Sequence, residues 1–139
     1  MGGKGERTRK GGNILKTVKA VPIDTEIEKH LKELFSAFGK NLKYEKDRIA
    51  TYTKYLLKHY EQFETPHFEE VCEVMILSRD FLPTLNEIVD CYDFLNWCKS
   101  SNTSKEQRIE LYRKYIIKDK NNAVKGAYGA FKMLLNDTH

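Results

Sequence analysis

No stretch of the chain approaches the roughly 18 consecutive apolar residues that a bilayer span needs. The opening segment MGGKGERTRKGG also lacks the apolar core of a secretory signal. Both absences lead us to expect a cytoplasmic protein with no membrane partner. Cysteine is scarce, and Cys72, Cys91 and Cys98 never form a C-x-x-C pair, so neither a disulfide framework nor a zinc knuckle is expected. The three read as plain small hydrophobes. A phosphate-cradling G-x-x-x-x-G-K-[ST] loop is missing, because Gly3-Lys4 is followed by Gly5 and Gly39-Lys40 by Asn41. His30, His59, His67 and His139 show neither H-x-x-x-H spacing nor a cysteine at ligand spacing, and read as surface or boundary residues without a metal. No G-x-S-x-G nucleophile setting occurs. Glu69, Glu70 and Glu73 share a helix but face no opposing cluster, so they read as a solvated acidic face. No period of about 20–50 residues repeats, which excludes solenoids. The expectation is a protein with no catalytic site, metal or cofactor, one that works by binding other macromolecules.

What is present suits one small domain. A chain of 139 residues can build a single core plus tails, and aromatics at 12 % supply large pieces to fill it. The basicity is concentrated at the start: Lys4, Arg7, Arg9, Lys10, Lys16 and Lys19 face only Glu6 within residues 1–20, a net +5, whereas the rest of the chain sums to −1. Five of the eight glycines also fall before residue 13. With nothing apolar between Met1 and Asn13 to offset the entropy of ordering, residues 1–20 are expected to be a disordered basic arm. Such an arm is either a solubilising tail or a contact for nucleic-acid phosphates or an acidic protein face.

Residues 21–98 read as a bundle of four helices. After Pro22, Thr25 and Glu28 stand at capping-box spacing, Ile27, Leu31, Leu34, Phe35 and Phe38 form a stripe, and Gly39 is a natural stop. A second helix from about Tyr44 to Tyr60 carries Ile49, Tyr52, Tyr55, Leu56 and Tyr60 as core lining. Thr65 and Pro66 read as N-cap and first helical position of a third helix through Phe68, Val71, Cys72 and Met75 to about Ser78. Pro83 breaks it, and Thr84 with Glu87 caps a fourth helix bearing Leu85, Ile88, Val89, Tyr92 and Leu95 to about Cys98. Phe81 and Leu82 are expected to plug the corner between the third and fourth helices. Residues 99–104 read as a linker, with Thr103 and Glu106 at capping spacing. Residues 105–139 then form a C-terminal helical hairpin: Ile109, Tyr112, Tyr115 and Ile116 on one helix, and Ala123, Ala127, Tyr128, Phe131 and Leu135 on another interrupted by Gly126 and Gly129. Two such helices either pack on the first four or are completed by a partner. The fold class is all-α.

The order Leu34-Phe35-x-x-Phe38, then Ile49 and Tyr52, then Val71 to Ile76, then Phe81-Leu82-Pro83-Thr84-x-x-Glu87-Ile88 resembles the small helical domain of phage replicative-helicase loaders and loader-inhibitors, the group that includes the lambda-type replication protein P. The resemblance covers about half the chain, and an apolar pair before Pro-[ST] is also general corner chemistry. It implies a DNA-replication accessory protein that lacks an ATPase site and binds the replicative DNA helicase in a bacterial host's cytoplasm, either loading or inhibiting it. The N-terminal arm and the segment after Ser104 have no counterpart that we can match in that group.

On this reading Phe81, Leu82, Pro83, Tyr92, Phe94 and Trp97 are the candidate protein-binding residues. Trp97, the only tryptophan, is the leading anchor, because tryptophan is enriched at interface hot spots; its plainer role is to close one end of the bundle. Two rival readings stand beside this one. In the first, the arm, through Lys4, Arg7, Arg9, Lys10, Lys16 and Lys19, grips DNA or RNA together with Arg108, Arg113, Lys114 and Lys118. In the second, the protein is an adaptor that blocks a host enzyme by contact.

Overall fold

The computed structural model describes residues 21–117 and 122–137, and among these it is all-α: six helices, a short 3₁₀ turn and no strand. The proposed basic arm, with Lys4, Arg7, Arg9, Lys10, Lys16 and Lys19, lies outside the described residues, as do Lys118 and His139. The helices are α1 (Ile23–Ala37), α2 (Lys46–His59), α3 (Thr65–Ser78), α4 (Leu85–Ser100), α5 (Lys105–Ile116) and α6 (Ala123–Asp137), with the 3₁₀ turn at Leu42–Tyr44.

Local chemistry sets most of the boundaries. α1 ends in a Schellman motif: Gly39 takes φ +79°, its N–H donates to Ser36 O (2.9 Å), and Lys40 N–H donates to Phe35 O (3.0 Å). Thr84 and Glu87 form the expected reciprocal capping box. The other two expected boxes do not form. α1 starts earlier, at Ile23 behind Pro22, so Thr25 lies inside the first turn and its N–H takes Asp24 Oδ1 at 2.9 Å. At α5 the box shifts by one residue to Ser104 and Gln107, because the Thr103 hydroxyl instead donates to Cys98 O at 2.8 Å. Asn102 in the left-handed region (φ 58°) completes that turn. α3 likewise begins one residue early, with Glu64 at the N-cap and Pro66 in its first turn.

α3 is the hub, touching α1, α4 and α5. Its stripe of Phe68, Val71, Cys72 and Met75 is buried as expected, but so are His67 and Val74, because neighbours cover it on several sides. α4 is buried on a broad arc for the same reason. Tyr92 turns toward Tyr60, Phe63 and His67, with ring centroids 4.3–5.1 Å away. Phe94 turns toward Tyr112, Tyr115 and Tyr128, at 4.3–6.0 Å. Truncating a ring held this way typically costs about 3–5 kcal/mol.

Residues 105–137 pack on the first four helices, since Tyr112 and Tyr128 belong to the same buried cluster. α6 runs unbroken through Gly126 and Gly129. Polar links reinforce α5. Arg108 donates to Glu70 from Nε (2.7 Å) and Nη2 (2.9 Å), and Lys105 pairs with Glu73 at 2.5 Å. Glu70 is therefore the largely covered acceptor of an interhelical ion pair and not part of a solvated acidic face. Burial raises its carboxyl's pKa, but the Arg108 hydrogen bond and the charges of Lys99 and Arg108 outweigh that and hold it below the usual carboxylate value.

Two histidines also depart from expectation: His30 and His67 are buried. His67 Nε2 lies 2.9 Å from Tyr92 O and Lys99 Nζ lies 2.8 Å from Nδ1. With an ammonium donating to Nδ1 and a carbonyl accepting from Nε2–H, the ring is neutral.

Candidate protein-binding surfaces

The six residues singled out for protein binding fall in three places. Tyr92 and Phe94 are core residues, out of reach of any partner while the fold is intact. One tyrosine of α2 expected in the core, Tyr55, is instead 47 % exposed.

Phe81, Leu82 and Pro83 stay together at the α3–α4 corner, but not as a plug. Pro83 is buried, Leu82 half-buried, and Phe81 is 83 % exposed. The corner is held instead by Arg79, whose Nε donates to Tyr112 Oη (2.9 Å) and whose Nη1 donates to Glu87 Oε2 (3.0 Å). Glu87 Oε1 meanwhile accepts from Thr84 N–H at 2.8 Å. One carboxylate thus caps α4 and anchors the preceding loop through Arg79.

Trp97 lies on the other side of α4, toward its C-terminus. Phe81 precedes the first residue of α4 by four positions and Trp97 follows it by twelve, about 18 Å of helical rise, so the two stand toward opposite ends of that helix. Half-buried, Trp97 rests against Phe94 (5.5 Å), Tyr128 (5.3 Å) and Phe131 (6.1 Å). α4 and α6 meet through these rings, and a groove of about 460 Å³ lies between them. Trp97, Tyr128, Phe131 and Leu135 give it an apolar floor, and Asp93, Asn96, Ser100 and Lys132 a polar rim. Burial raises the Asp93 carboxyl above the usual value, while the Tyr60 hydroxyl, donating at 2.8 Å, pulls the other way. Lys132 lies 4.6 Å over the Tyr128 ring and 3.6 Å from Asp90. Beside the groove, Met133 and Leu134 on α6 are 68 % and 65 % exposed. The α6 side of this surface escaped the sequence reading, because Met133 and Leu134 lie outside its apolar stripe.

The α5 cations are partly engaged within the fold. Arg108 is held by Glu70 and also donates to Thr103 O, and Arg113 reaches Leu77 O at 3.2 Å. Among the described residues no group of His, Cys, Asp and Glu is placed to hold a metal ion, and no helix is long and apolar enough to cross a membrane. Comparison with family models, curated proteins and solved structures found no match.

Proposed function

We propose that this chain is a non-catalytic binding protein that docks a protein partner on the groove between α4 and α6, with Trp97 as anchor. The observation that carries the reading is the groove itself: a half-buried tryptophan in an aromatic floor with a polar rim, flanked by the exposed Met133 and Leu134. A partly desolvated aromatic anchor ringed by polar groups is the arrangement that concentrates binding energy at interfaces.

The partner we propose is a replicative DNA helicase, which the loader gets to its site or holds inactive. The support is the corner Phe81-Leu82-Pro83-Thr84 with its Glu87 capping box, the feature on which the resemblance to phage helicase loaders rests. Blocking another host enzyme by the same groove is the alternative. A reading in which α5 grips phosphate is less favoured, because Arg108 is committed to Glu70.

The test is size-exclusion chromatography with light scattering of the protein mixed with a bacterial replicative helicase, at low and high salt. A complex that forms at both salts and is lost in a Met133→Glu/Leu134→Glu variant supports the proposal. Absence of a complex at either salt, with the helicase intact, removes the helicase from consideration.

A further inference from the structure

The near-neutral balance outside the arm conceals a strong polarity. Residues 40–59 hold six basic residues against two acidic ones, whereas residues 60–98 hold nine acidic residues and a single cation, Arg79. Glu45, one of the two carboxylates in the basic segment, is already tied to Arg48 at 3.2 Å. Residues 99–139 are basic too, with nine cations against four carboxylates, and the other concentration of positive charge outside the arm lies on α2 and the turn before it.

This basic face carries exposed aromatic rings. Two depressions adjoin along the seam where α2 faces the start of α4: one includes Lys40, Arg48 and Phe81, the other Tyr55, Lys58 and His59. The two lie next to each other along the chain: Thr84 of the first precedes Leu85 of the second, and Tyr52 of the first stands about one helical turn before Tyr55 of the second. Among the lining residues Asp80 is the only carboxylate. Lys54 and Lys58 each lie within 6 Å of the Tyr55 ring, at 5.7 and 5.8 Å. From Arg48 to Lys58 the seam follows ten residues of helix, about 15 Å.

From this arrangement we propose that the α2–α4 seam binds single-stranded nucleic acid, with bases stacking on Phe81 and Tyr55 and phosphates meeting Lys40 and Lys58. Cations alone would suit any polyanion. Phe81, 83 % exposed next in the fold to the Arg79–Glu87 pair, adds a preference for a ligand that offers flat unpaired faces. A duplex buries those faces, and a run of carboxylate side chains has none. The site is separate from the Trp97 groove and stands whether or not that groove takes a helicase.

The experiment is fluorescence anisotropy of labelled dT20 and rU20 with the full chain across a salt series, with a 20-base-pair duplex and poly-glutamate as competitors. Three variants accompany it: Tyr55→Ala/Phe81→Ala, Lys40→Glu/Lys58→Glu, and one with the six basic residues of the arm replaced by glutamine. All altered side chains on the seam are exposed, and circular dichroism checks that each variant is folded. We expect single strands to outcompete duplex and poly-glutamate, affinity to fall with salt, and each seam variant to weaken binding about tenfold or more. The arm variant should retain most of the binding. Binding lost with the arm but untouched by the seam variants would overturn the proposal. Equal affinity for poly-glutamate with no effect of Tyr55→Ala/Phe81→Ala would assign the seam to an acidic protein segment, and no binding at low salt would also overturn it.

Discussion

Replacing Arg108 with methionine keeps the apolar stem of the side chain and removes the cation that joins α5 to α3. Arg108 and Glu70 have side-chain exposures of 11 % and 13 %, between the regimes for which typical energies are known. Exposed ion pairs contribute about 0–1 kcal/mol, while removing one partner of a buried pair costs about 3–5 kcal/mol. Lys99 remains 3.9 Å from Glu70 and shares its charge, so we expect Arg108→Met to cost about 2–3 kcal/mol. Glu70→Gln leaves Arg108 and Lys99 facing a neutral amide and should cost a similar amount. The double variant should cost less than the sum of the two, with a coupling of about 1 kcal/mol or more. Because the Glu70 carboxyl is held below its ordinary value of 4.5, the pair's contribution is complete above that pH and is lost as pH falls through the lowered value. The assay is urea unfolding at pH 7, read by Trp97 fluorescence and far-UV circular dichroism, with an unchanged m-value as the check that the transition is comparable. Single losses below about 0.5 kcal/mol, or energies additive within about 0.3 kcal/mol, would refute the argument that this pair locks α5 in place.

Burial holds His67 below its ordinary value of 6.5, so the unfolded chain takes up a proton that the folded one refuses. Stability should be complete above pH 6.5 and fall as pH drops toward the lowered value, by up to about 1.4 kcal/mol per pH unit. Urea midpoints between pH 7.5 and 5 measure this, and the same slope persisting in His67→Gln would rule the histidine out as its source. Gly126 and Gly129 lie within α6 with nothing within 4 Å of an added Cβ. Changing each to alanine should therefore raise stability by about 0.5–1 kcal/mol, and a lowered thermal midpoint in either variant contradicts this. Cys72, Cys91 and Cys98 are all buried, and burial pushes the Cys98 thiol up to about 11. Under native conditions at pH 8 a thiol reagent should react slowly with all three and fully only in denaturant, whereas fast labelling of one would show that its helix opens locally.

Helix content was legible because its signals are local. The 3.6-residue stripes, the Gly39 stop and the Thr84–Glu87 box depend on neighbours within one or two turns, and each appears in the fold. Cap register was less legible where the sequence offered two choices. Thr103-Ser104-Lys105-Glu106-Gln107 admits a box from either hydroxyl, and the Thr103 bond to Cys98 O, made by the preceding turn, selects Ser104. Of the binding candidates, Trp97 could be picked out as the single tryptophan. Tyr92 already lay on the apolar stripe of α4 with Leu85, Ile88, Val89 and Leu95, whereas Phe94 lies off it and is buried only because α5 and α6 cover a second side of the helix.

Six helices follow from local signals alone, because capping, proline and glycine act over a few residues whatever surrounds them, although the starts of α1, α3 and α5 fall one or more residues from where those signals put them. The sequence also determined that the positive charge is uneven, though its overall balance hid the basic segment at residues 40–59. The tertiary structure alone decided which side chains remain outside. Phe81 stays exposed at a corner that Arg79 and Glu87 hold, Trp97 lines a groove where the rings of α4 and α6 meet, and Arg108 is spent on Glu70. Each of these outcomes depends on partners 8–38 residues away in sequence, and periodicity along one helix carries no record of such distances.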